Sequence, residues 1–311
     1  MESNGKNFPL LFLWLKVYNF QKFAQLLDVT SIQQVKFPEG VTPYVSTMSP
    51  NGDYMLVSDQ LKPGLQKYDF ATGKLSVVTT AQGSGYDVKI LDDGNTIIYR
   101  ETEVDANRLR KTSLKSKNLS TGEVKTIVKA TRDLEGVTVG KQAVYAVNNG
   151  KLTTKAYNNT SVNKNTPVVS TKYGQLLVTR NGKTKVISPN GQSGQSYLWP
   201  SVSPDGTKIL YYLSTKGAYV CDIDEKNARF IGVIRAPKWY DNNIVIGMLD
   251  SDNGYNITDS KIIAIDSKTL VRQEVTDGKQ IAMYPSANKA GNIISFTTPS
   301  GEAYIINVKT K

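Results

Sequence analysis

Trp199-Pro200-Ser201-Val202-Ser203-Pro204-Asp205-Gly206-Thr207-Lys208-Ile209-Leu210-Tyr211-Tyr212 carries a tight polar turn, Ser203-Pro204-Asp205-Gly206, between two strand-like runs. The turn also stands far upstream as Ser49-Pro50-Asn51-Gly52, followed at once by Tyr54-Met55-Leu56-Val57. A turn that keeps its place in a repeated strand pattern marks an array of like units. Taking the turn residue as an anchor adds Gly94, Gly140, Gly174, Asn243 and Gly291, each leading into a β run. Pro200, Pro237 and Pro285 each stand six residues before their anchor.

The anchors are separated by 42, 46, 34, 32, 37 and 48 residues, a mean close to one four-stranded propeller blade. A second landmark follows in the same order. Asp69-Phe70-Ala71-Thr72-Gly73, Asn118-Leu119-Ser120-Thr121-Gly122 and Asp266-Ser267-Lys268-Thr269 are Asx-initiated turns, each leading into a further strand. The predicted fold is therefore all-β, a propeller of four-stranded antiparallel blades. The count is seven blades, or six if the repeats at 140 and 174 form one irregular blade. The last repeat ends after its third strand, and Ser31-Ile32-Gln33-Gln34-Val35-Lys36-Phe37 is a strand with no hairpin partner. An unpaired edge is a liability that closure removes, so the N-terminal strand is expected to complete the last blade.

Residues 1–28 stand apart from this pattern. Phe8-Pro9-Leu10-Leu11-Phe12-Leu13-Trp14-Leu15 is strongly apolar but far short of the ~20 residues that span a membrane. It reads as a degenerate export signal, a docked amphipathic helix or a mis-assigned start, and no transmembrane segment is expected. Residues 29–311 are read as one propeller domain.

Composition narrows the chemistry. The 311 residues include no His, which excludes Ser-His-Asp and Cys-His nucleophile systems and imidazole metal ligands. The single Cys221 allows no internal disulfide and reads as a small buried hydrophobe. No cofactor is expected. The net charge of +11 favours acidic partners. The densest basic stretch, Arg108, Arg110, Lys111, Lys115 and Lys117, lacks interleaved aromatics and reads as a solvated strand face rather than a nucleic-acid platform.

The stretch 199–212 resembles the WD40-like repeat of TolB-type bacterial propellers: Pro, any residue, Trp, then Ser-Pro-Asp-Gly and a β run. Trp239 takes the Trp place after Pro237, whereas Val202 and Met48 replace it in the two clearest repeats. The likeness is specific at 199–213, good at 44–58 and faint over 130–190. It implies a protein of the bacterial periplasm or exterior that binds protein or glycan; a monomer is expected, and the cytoplasm is the alternative if the N-terminal run is a docked helix.

A binding site is expected on the face where the chain enters each blade. Tyr44, Tyr86, Trp199 and Tyr284 precede or open the first strand of their repeats, and the longest insertions, 101–111 and 249–260, open on the same side. Asp250-Ser251-Asp252-Asn253-Gly254 loosely resembles a calcium loop without its terminal Glu, leaving Asp250 and Asp252 as a weak cation candidate. No Gly-x-Ser-x-Gly elbow occurs, and no catalytic residue is assigned. The expected function is non-enzymatic binding. The alternative is a glycoside-processing enzyme using carboxylates alone, drawn from Asp87, Glu101, Asp250 and Asp252.

Overall fold

The structure, a computed structural model, describes residues 25–59, 63–191, 196–288, 290 and 292–310. Its strands form seven sheets, one per blade. The chain opens with β1 (Leu27–Val35) and then builds the first blade from β2 (Pro43–Met48), β3 (Tyr54–Asp59), β4 (Leu65–Asp69) and β5 (Leu75–Thr79). The second blade is β6 (Lys89–Ile90), β7 (Thr96–Val104), β8 (Arg110–Asn118) and β9 (Val124–Thr131). The third is β10 (Leu134–Gly140), β11 (Ala143–Asn148) and β12 (Lys151–Ala156), and the fourth β13 (Val168–Lys172), β14 (Gln175–Arg180) and β15 (Lys183–Ile187). The fifth is β16 (Tyr197–Val202), β17 (Lys208–Leu213), β18 (Gly217–Asp222) and β19 (Arg229–Gly232). The sixth is β20 (Arg235–Trp239), β21 (Ile244–Asp252), β22 (Ile257–Asp266) and β23 (Arg272–Glu274). The seventh joins β24 (Met283–Asn288), β25 (Ile293–Thr297) and β26 (Ala303–Thr310) to β1.

The repeated turn is held by its own serine. Ser49 Oγ accepts from the backbone N–H of Asp53 and Tyr54 at 3.0 and 3.1 Å, and Ser203 Oγ accepts from Lys208 N–H at 2.9 Å. Gly52 and Gly206 close these turns at φ +72° and +74°, where a side chain would be strained. At the second landmark the carboxylates of Asp69 and Asp266 and the amide oxygen of Asn118 accept from the N–H three residues on, at 2.8–3.0 Å. Alternating residues of each blade face its two neighbours, and the apolar ones gather into seven clusters, one at each seam. Burial pushes the Cys221 thiol up to about 12 within the seam between blades four and five.

Closure is as expected, with β1 antiparallel to β26 from Leu27↔Thr310 to Val35↔Ala303. The strand starts earlier than sequence suggested, inside the segment set apart above. Leu27 is fully buried at the seam of blades six and seven, and the Gln273 side chain accepts from the Leu26 and Leu27 N–H groups at 2.7 and 2.8 Å. The apolar run at 8–15 and the anchor Gly291 lie outside the described residues. No helix among the described residues is long and apolar enough to cross a membrane.

Blades three and four each have three strands, and this reverses one of them. Gly140 at the end of β10 lies against Thr166 before β13, and Gly136 lies against Val169, so β13 runs antiparallel to β10. It is also antiparallel to β16, because Gly206 abuts Pro167 while Tyr197 N–H donates to the Gly174 carbonyl at 2.9 Å. An odd number of strands in each of two adjacent blades restores the direction for blade five. The two short repeats are therefore separate blades, and the turn at Gly174 opens on the face opposite to that of Gly52 and Gly206.

Candidate functional site: the entry face and its arginine cleft

In every blade but the fourth, the chain entry into the inner strand and the turn between second and third strands share one face, and the reversed Tyr173-Gly174 turn of blade four joins them there. Six aromatic side chains are exposed among the described residues: Tyr86, Tyr173, Trp199, Phe230, Tyr255 and Tyr284. All but Phe230, on the outer strand β19, belong to this entry face. Tyr173 and Tyr255, 92% and 95% exposed at turn tips, are the barest, and sequence reasoning missed both. Tyr173 was hidden by the reversal of blade four, and Tyr255 by the polar loop around it.

The four aromatics expected at equivalent places fall into two pairs. Trp199 and Tyr284 stand seven residues before their anchors, whereas Tyr44 and Tyr86 stand eight before theirs. Trp199, Ala236 and Tyr284 hold left-handed φ values of 49°, 47° and 52° where the inner-strand register shifts. Asp87, just before β6, also holds a left-handed φ of 52°. Each such residue costs about 1–2 kcal/mol, and at the three register shifts the bulge turns the side chain off the ladder. The rings of Tyr44 and Tyr284 meet at 5.4 Å, and burial together with Tyr284 pushes the Tyr44 hydroxyl up. Trp199 packs on Tyr212 of its own blade at 5.6 Å, and Tyr86 lies beneath the Arg100 guanidinium at 5.9 Å.

The two long insertions are hairpins rather than loops. β7 and β8 stay paired to Val104↔Arg110, and β21 and β22 to Asp252↔Ile257. In blade two, Thr102, Val104 and Thr112, residues that favour strands, carry the ladder beyond its neighbours. Near its base, the blade-two hairpin packs Ile98 and Leu114 against Val144 and Ala146 of blade three. Higher up, the shorter β11 and β12 give no cover, and the same face carries Arg100, Thr102, Arg110 and Thr112.

These residues, with Thr131, Arg132, Leu134, Gly83 and Tyr86, line a cleft of about 270 Å³, and none of these described lining residues is a carboxylate. Arg110 and Arg132 are exposed and make no ion pair among the described residues. Arg100, only 13% exposed, pairs with Asp87 at 3.3 Å, and its buried Nε has no hydrogen-bond partner among the described residues. Gly83, at φ +77°, comes so close that a Cβ would lie 2.7 Å from Thr102 Oγ1. Burial would raise the Asp87 carboxyl, but Lys89 at 2.6 Å, Arg100 and the Lys238 charge outweigh it and hold it below the ordinary carboxylate range. Burial and the Lys89 charge push the Lys238 ammonium below the usual lysine range against the pull of Asp87.

The basic stretch identified in sequence divides between two faces of β8. On one face Lys111 pairs with Asp105 at 3.0 Å and Lys115 with Glu101. On the other, Arg110 joins the cleft. The hairpin of blade six differs: Arg235 bridges Asp250 at 3.3 Å and Asp252 at 3.0 Å, so a guanidinium already lies on the pair weighed as a cation site. Burial, despite Arg235, raises the Asp250 carboxyl, while the Gly254 N–H and then Arg235 lower that of Asp252.

No protein-family model and no curated protein matches the chain. Among solved structures it is similar to oligogalacturonate lyase from Vibrio parahaemolyticus, 14% identical with a TM-score of 0.46, over 84% of this chain and 76% of that one. It is also similar to TolB from Acinetobacter baumannii, 15% identical with a TM-score of 0.51, over 82% of this chain. The chain spans 57% of that TolB chain's length, and the likeness is one of fold.

Proposed function

We propose that this chain is a non-enzymatic binding propeller, exported in a bacterium, that engages a protein or glycan through its entry face. One observation carries the reading: five of the six exposed aromatics among the described residues gather on that face. Rigid blades fix such side chains at little entropic cost, and aromatics dominate the energetics of binding surfaces. A pull-down from the native envelope tests it with three proteins. The native chain and a turn-face variant, Lys164→Ala/Leu270→Ala, retain the same partner. Tyr173→Ala/Trp199→Ala/Tyr255→Ala loses it. Loss in the turn-face variant alone contradicts the proposal.

A second reading is a carboxylate-based glycoside-processing enzyme. It is favoured by one raised and one lowered carboxyl, Asp250 and Asp252, at neighbouring places on β21. Arg235 on both acids weighs against it. Release of reducing ends from a glycan panel, abolished by Asp250→Asn, establishes that reading and displaces the first.

A further inference from the structure

We infer that the cleft beside blade two is a subsite for an acidic sugar unit, one bearing a carboxylate or sulfate; the inference rests on the entry face being the binding face. The register explains how the subsite is built. Thr102 pairs with Thr112 and Thr112 with Thr131, so three hydroxyls run in a row across β7, β8 and β9. Arg100 and Arg110 flank that row two residues away on their own strands, and Arg132 follows Thr131 directly. Guanidinium groups match the planar geometry of carboxylates, and the hydroxyls both donate and accept. Arg100 brings a buried Nε–H with no hydrogen-bond partner among the described residues, a donor whose desolvation is uncompensated until an acceptor arrives.

Size and shape favour a sugar over a bare ion. The volume of about 270 Å³ is far larger than one small anion, and Tyr86 offers an exposed ring at its edge. A second cleft, of about 430 Å³, shares Gly83, Thr102 and Arg110 with the first and adds Gln82 and Val104. Two adjoining clefts suit consecutive units of a chain, the first more cationic than the second. Gly83 keeps them continuous, because any side chain there would meet Thr102.

Titration calorimetry with alginate oligosaccharides, dextran sulfate, neutral dextran and polyglutamate tests the assignment, using the full chain at two salt concentrations. The expected result is saturable binding of alginate, dextran sulfate or both, with none of neutral dextran; which of the two binds distinguishes carboxylate from sulfate. Arg110→Gln and Arg132→Gln each weaken binding about tenfold, and Lys183→Gln/Lys216→Gln, which removes two exposed charges elsewhere, leaves it within about twofold. Circular dichroism confirms that the variants fold. Equal losses in the arginine and lysine variants overturn the subsite in favour of nonspecific attraction. Equal binding of polyglutamate with the same arginine dependence overturns the sugar and assigns an acidic peptide. Absence of binding to both acidic glycans overturns the subsite outright. If the pull-down partner stays on the entry face while these arginine variants bind normally, the subsite fails and the binding-face proposal stands.

Discussion

Blades two and six each raise a long hairpin above the entry face, and both set arginine there in different company. On blade six, Arg235 stands between Asp250 and Asp252, and its charge is met within the protein. On blade two, Arg110 and Arg132 make no ion pair among the described residues, and Arg100 shares Asp87 with Lys89. Like hairpins on one scaffold therefore do different work. Charge matched internally fixes the hairpin, whereas charge left open waits for an external counter-ion. The cost of removing an arginine separates the two.

Arg235→Ala carries the largest expected effect. It leaves the Asp250 carboxylate, 4% exposed, without its cation and costs about 2–3 kcal/mol, less than a fully buried pair because Arg235 itself is half exposed. Urea unfolding at neutral pH reads the loss. The Asp250 carboxyl is already raised by burial, so the penalty fades as it takes up a proton, at pH values above the ordinary carboxylate pKa of about 4.

Asp87→Asn comes next, at about 2 kcal/mol, because it leaves Lys89, Arg100 and Lys238 facing one another. The pH dependence differs from that of blade six. The Asp87 carboxyl is held low in the folded protein, so its contribution is complete above the unfolded value and is lost only as pH falls through the folded one. The gap between native chain and Asp87→Asn therefore closes below about pH 4. Stability profiles of the two variants that close at the same pH contradict the contrast.

Gly83→Ala is expected to cost about 1–2 kcal/mol, from positive φ and the contact with Thr102, and to narrow the cleft. Unfolding curves and ligand affinity then move together. The smallest effect on stability belongs to Tyr173→Ala and Tyr255→Ala, within about 0.5 kcal/mol, because both rings stand in solvent. A larger shift in melting temperature for Tyr173→Ala shows that its ring packs on the blade and contradicts its place at an open tip.

Much of the architecture is legible because its turns carry chemistry. Ser49, Ser203, Asp69, Asn118 and Asp266 make the backbone bonds that their residue types advertise. The reversal of blade four is not legible, since Tyr173-Gly174 has no Ser or Asp to mark direction and a glycine hairpin reads alike both ways. The site is legible in part. Tyr86 and Trp199 are exposed on the expected face, but the cleft draws Arg100, Arg110 and Arg132 from separate stretches that only strand register unites. A signal for it exists in hindsight: Arg100 and Thr102, like Arg110 and Thr112, alternate at period two in strands too long for an apolar face to fill.

The most direct measurement sets Arg110→Ala beside Arg235→Ala, following alginate or dextran sulfate affinity and urea stability in the same preparations. Arg110→Ala is expected to lose about tenfold in affinity and less than about 0.5 kcal/mol in stability, while Arg235→Ala does the reverse. Loss of stability without loss of affinity in Arg110→Ala, or matching losses in both variants, contradicts it.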